Sequence, residues 1–288
     1  MDWTEIDAYL QTVVRPRRKF TTLPCQQMLS QMVRLKPKPI TYDDLIRENF
    51  EDKSKLLVPI FDDLTGNYGS DALAFYLPFH GNINWGIYII DAGVDYLATE
   101  IMKLDKKCHK TLLYRRDAEY LAKHKLLLHE LGHHAVEIVH TLLAWNYNRP
   151  DSYEIHIDNK LQQRSQHLPP EDQTFHNHEE AVCNWNVIRN KLNFEIRARN
   201  HINTISDFML TQPLGYKDFG KITGRNYLEN IMDVRTAIGL PKETKINLKK
   251  QFRAHSKLDK VKPLTKKKKE NWTQVPIYLI RTGKQMKK

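Results

Sequence analysis

One helical segment constrains this chain more than anything else in it. Between residues 117 and 145, apolar side chains recur at helical spacing at Leu121, Leu128, Leu131, Val136, Val139 and Leu143. They are too numerous for a helix with a wet face, so this one is expected to be buried on most sides. Inside it stands His129-Glu130-Leu131-Gly132-His133. Two histidines four residues apart project from one face on successive turns. Both imidazoles can therefore reach one ion at the roughly 2.0–2.1 Å that zinc requires. Glu130 is turned about 100° from His129 and is poorly placed as a ligand, but it leans towards the fourth coordination position. A carboxylate there can take the proton of a water whose pKa zinc has lowered towards about 7. Gly132 costs about 1 kcal/mol against alanine in a helix. Its place between the histidines makes sense if another chain segment or the site itself approaches closely at that point.

The surrounding pattern is mixed. Thr41 before Asp43, Asp44, Leu45 and Ile46 reads as a capped helix start. The runs at 72–79 and 85–91 read as strands joined by a link short enough for a hairpin. From Ala92, the steps Val94, Leu97, Ile101 and Leu104 predict a helix. A polar stretch over 146–172 is broken by Pro150, Pro169 and Pro170, and its length suits a functional loop. A helix is expected over 176–194, weaker ones over 202–210 and 227–238, and a short strand over 275–280.

The helix over 176–194 supplies a third donor. Glu179-Glu180-Ala181-Val182-Cys183-Asn184-Trp185 places two carboxylates near its start, where the helix dipole also favours them. HExxH followed by E-x-x-x-N on a later helix resembles the gluzincin metallopeptidases, the thermolysin-like branch of the zincins. The resemblance covers roughly residues 72–200. It implies an α+β, zincin-like fold, mainly helical with a small, mostly antiparallel sheet preceding the HExxH helix. It implies that Glu180 joins His129 and His133 as zinc ligand, with Glu179 as the alternative. Asn184, four residues on and on the same face, would orient a ligand histidine through a hydrogen bond. The implied activity is zinc-dependent cleavage of a protein or peptide with Glu130 as general base. The 85–91 strand or the strand containing Phe75 would form the cleft rim, to which an extended peptide adds.

Two departures matter. The H-x-x-G-x-x-H extension of metzincins is absent, since His134, Glu137 and His140 stand at other spacings. No residue is an unambiguous match for the family's oxyanion-stabilising tyrosine or histidine, and Tyr153, His156, His176, His178 and His201 are the candidates. Cys183 reads as an apolar core cysteine rather than a fourth ligand. No GxxxxGK, GxGxxG or GxSxG motif points to another chemistry.

The net charge of +11 suggests a nucleic-acid partner until its distribution is read. Residues 245–288 hold 15 Lys+Arg against Asp259 and Glu270, whereas the rest of the chain carries a net −2. The basic segment suits contact with nucleic acid or an acidic partner, or simple solvation. Three widely spaced cysteines, no secretion signal and no membrane-length apolar run point to a cytoplasmic protein. The expected organisation is an N-terminal helical region over 1–70, a zincin-like domain over 71–240, and a basic tail over 241–288 containing one strand.

Overall fold

The computed structural model describes residues 39–40, 42–47, 73–77, 85–109, 112–146, 174–189, 201–224, 229–230, 233 and 275–281. The unbroken run Gly86-Ile87-Tyr88-Ile89-Ile90 forms strand β3 (Gly86–Ile90), and every residue of it is buried. A strand wet on one face would alternate apolar with polar residues, so this composition belongs inside a sheet. β3 does lie inside, in the order β1-β4-β3-β2 with β1 (Pro39–Ile40), β2 (Ala74–Leu77) and β4 (Ile277–Ile280). β2 runs antiparallel to β3, with Ala74 opposite Ile89 and Leu77 opposite Gly86. β4 runs parallel to β3, with Ile87 beside Ile277, and antiparallel to β1.

The chain is α+β, mainly helical with a small mixed sheet. An antiparallel pair does precede the HExxH helix. β4 departs from the expectation, because it follows that helix in sequence and enters the sheet parallel to β3. A parallel neighbour needs a long crossover, which the helical body between β3 and β4 supplies. Periodicity around 275–280 reveals a strand but not its partner. β1 comes from the region expected at 1–70 and β4 from the expected tail, so both flanking regions contribute to one sheet. The polar stretch 147–173, the Lys-rich segment 245–274 and most of 1–70 lie outside the described residues.

Five α-helices complete the described fold: α1 (Tyr42–Arg47), α2 (Asp91–Leu104), α3 (Arg115–Asn146), α4 (Thr174–Arg189) and α5 (Ile202–Leu210). α2 starts directly at the end of β3 and packs along α3, burying Val94, Leu97 and Ile101 with Leu121 and Leu126. The guanidinium of Arg115 ties the two together, pairing with Asp95 and with Glu119. After α2 comes one π-helical turn, Asp105–His109. The buried Asp105 carboxylate accepts from Thr204 Oγ1 and His201 Nδ1, each at 2.9 Å, which pins α5 to this turn. α4 crosses α3 and is itself covered by a 3-10 turn, Tyr216–Lys221. Among the described residues, no helix is long and apolar enough to cross a membrane.

Candidate metal centre

The approach that Gly132 anticipated comes from α4. A Cβ on Gly132 would lie 2.7 Å from Cys183 Sγ and 3.0 Å from Cys183 Cα, so α3 and α4 touch almost backbone to backbone. Burial pushes the Cys183 thiol up to about 12, with His133 opposing. This cysteine is therefore a packed thiol at the crossing, and the cluster of candidate ligands does not include it.

Just beside the crossing, α3 and α4 bring three donors together. The ligand atoms of His129, His133 and Glu180 lie within 4.8 Å of one another, and all three residues are buried. His129 Nε2 is 3.0 Å and His133 Nε2 3.3 Å from the same oxygen, Glu180 Oε2. Donors held at zinc's distances and a tetrahedral angle stand roughly 3.3 Å apart, so this spacing suits the ion.

The outer faces of both imidazoles decide which atoms point inward as acceptors. His129 Nδ1 lies 2.8 Å from Asn184 Oδ1. The Asn184 amide cannot be turned round, because its Nδ2 donates to the backbone carbonyl of Tyr216 at 2.8 Å. Oδ1 is thus the atom facing His129, and Nδ1 must be the donor. His133 Nδ1 likewise donates to Glu179 Oε1 at 2.6 Å. In their neutral forms, which carry one N–H each, both imidazoles would turn an Nε2 lone pair towards the Glu180 carboxylate, as metal ligation requires. Three such donors converging on one buried point are satisfied either by a shared proton or by a cation. The donor set of two imidazoles and one carboxylate could hold a divalent metal ion.

Of the two candidate carboxylates, Glu180 faces the Nε2 atoms of both histidines and Glu179 holds Nδ1 of His133. Glu130, on the turn between the histidines, is fully buried. On the α3 face that Glu130 shares with His134 and Glu137, at i, i+4 and i+7, strand β2 contributes Tyr76. Its hydroxyl donates to Glu137 Oε2 at 2.5 Å and accepts from His134 Nδ1 at 2.7 Å, while the Trp85 indole stacks on the His134 ring. Burial holds the His134 imidazole down at about 4, with Glu137 opposing. His134, bonded to Tyr76 of β2, is a neutral tie between the sheet and α3.

Among the oxyanion candidates, His201 belongs to the Asp105 cluster of α5. His178 sits on α4, its imidazole pulled down by burial, with Asp233 opposing. Tyr153, His156 and the side chain of His176 lie outside the described residues. Sequence reasoning passed over Tyr216, whose ring stacks on His129 at 5.7 Å and whose carbonyl holds Asn184. A tyrosine in a short polar segment far from the motif carries no local signal of such a role. No family model, curated protein or solved structure matches the chain.

Proposed function

We propose that the chain is a zinc-dependent, zincin-like metallopeptidase that cleaves a protein or peptide. One observation carries this reading: two histidine Nε2 atoms converge on one carboxylate oxygen, while both Nδ1 atoms are engaged from outside by Asn184 and Glu179. His129, His133 and Glu180 would hold the ion. When bound, zinc acidifies water and polarises a carbonyl. Glu130, beside these ligands on α3, would take the proton of the attacking water and deliver it to the leaving amine nitrogen. Asn184 and Glu179 keep the imidazoles in one tautomer and one orientation through the reaction. Among the described residues β2 pairs on one side only, with β3, which favours addition of an extended peptide along its other edge.

Burial of the whole cluster favours a second reading, in which the ion is structural and the basic segment contacts nucleic acid or an acidic partner. Glu130→Gln separates the two. On the first reading the variant retains stoichiometric zinc and loses hydrolysis of a quenched-fluorescence peptide library. Equal hydrolysis by both proteins, or by neither when zinc-loaded, contradicts it.

A further inference from the structure

We propose that the Tyr216–Lys221 turn is part of the metal centre, with Tyr216 a positioning residue that holds His129 from two directions. This inference rests on the metal-centre reading of His129, His133 and Glu180. From one direction, the Tyr216 carbonyl accepts from Asn184 Nδ2 at 2.8 Å, and so dictates that Oδ1 faces His129 Nδ1. From the other, the Tyr216 ring lies nearly parallel to the His129 imidazole, at 20° and 5.7 Å between centroids. The carbonyl sets the tautomer and the ring limits the tilt. Together they aim Nε2 at Glu180.

The turn is built to stay in that place. Gly215 precedes it with φ +88°, a conformation that side chains other than glycine's rarely adopt. A Cβ at Gly215 would lie 2.7 Å from Asn177 Cα, so the turn rests on the α4 backbone itself. Asn177 and Asn184 are seven residues apart, two turns along one face of α4. The turn is thus fixed to that face at both points. Asp218 closes it, with its carboxylate accepting from Gly215 N at 3.1 Å and its own N–H donating to Gly215 O at 3.0 Å. Tyr216 is buried, so neither its carbonyl nor its ring has water as a substitute partner.

Linkage gives this arrangement a second consequence. If the turn raises zinc affinity by holding His129, zinc must stabilise the turn by the same factor. Metal binding is therefore expected to slow amide hydrogen exchange at Gly215, Asp218 and Ile222, whose N–H groups close the turn.

The test uses the full chain and zinc titrated against a competing chelator. Tyr216→Leu removes the ring, Gly215→Ala lifts the turn from Asn177, and Tyr216→Phe keeps both ring and carbonyl. The first two are expected to lose about tenfold in zinc affinity, as removal of outer support does elsewhere, and the third to match the wild type. A purely structural role would lower thermal stability while leaving the affinity of the folded protein unchanged. Hydrogen exchange on the wild type, with and without zinc, decides the matter even if the variants fail to fold. Slowing of about tenfold at the three named amides, without change in α2, is the expected result. Unchanged affinity in both weakened variants, or exchange in the turn indifferent to zinc, overturns the inference and leaves the metal centre standing. A wild-type chain that binds no zinc overturns the metal centre, and this inference with it.

Discussion

Gly132→Ala sets two effects of opposite sign against each other at one atom. Intrinsic helix propensity favours alanine by about 1 kcal/mol, so an isolated α3 would be stabilised. In the folded chain the new methyl would meet Cys183 Sγ at 2.7 Å and Cys183 Cα at 3.0 Å. Carbon contacts become comfortable only near about 3.5 Å, so α3 and α4 must separate by roughly 0.5 Å at their crossing. Cα is main chain and cannot rotate away. Overpacking of this kind costs about 1–3 kcal/mol, which leaves a net destabilisation of about 0–2 kcal/mol. The larger effect falls on the metal. Glu180 and Asn184 flank Cys183 on α4, whereas both histidines ride on α3, so separating the helices pulls the donor set apart. Ligand distances tolerate about 0.2 Å, and a shift of 0.5 Å or so is expected to lower zinc affinity by at least tenfold. Cys183→Ala in the same chain removes the Sγ contact and restores part of that affinity. Denaturant unfolding of the apo protein and chelator competition read the two effects separately. If Gly132→Ala gains about 1 kcal/mol and binds zinc like the wild type, the close crossing does not hold the site together.

Other perturbations separate the remaining roles. Glu179→Gln keeps an acceptor for His133 Nδ1 and should retain one zinc with about tenfold lower affinity, whereas Glu180→Gln should lose it far more severely in the same titration. Tyr76→Phe removes the hydroxyl between His134 and the buried Glu137, and should cost about 1–3 kcal/mol in equilibrium unfolding. His134 should stay neutral in imidazole NMR titrations down to about pH 4. Its folded pKa lies below the ordinary 6.5, so the unfolded chain takes up the proton first. The stability that His134 contributes is therefore lost as pH falls from 6.5 towards 4, and Tyr76→Phe should alter that slope. Deleting residues 275–288 strips β4 from between β1 and β3, and should leave no cooperative unfolding transition, since a domain's entire stability is only about 5–15 kcal/mol. A truncated chain that melts like the full one would contradict the central place of β4.

The grouping of the candidate site residues was more legible in the sequence than the sheet was, for a physical reason. Helical spacing is local, so His129 and His133 announce one face of α3, and Glu180 with Asn184 one face of α4. Gly132, a poor helix residue between two histidines, pointed to a close approach by a chain segment or by the site itself, and only the folded chain shows that Cys183 of α4 is the neighbour. Glu179 and Glu180 were harder to separate, because adjacent residues on a helix differ by only about 100° and both reach the histidines, on opposite sides of the ring. Tyr216 and Tyr76 act through contacts distant in sequence, which no periodicity encodes. The same is true of β4: the apolar run at 277–280 identifies a strand, but only the folded chain pairs it with Ile87.

The most direct test is the metal content of the purified chain, reconstituted with zinc and freed of loosely held ions, measured beside His133→Ala and Glu180→Ala. Three donors closing on one buried point predict one zinc per wild-type chain and almost none in either variant, with both still folded. A wild-type protein without zinc, or variants that keep a full equivalent, would contradict that convergence.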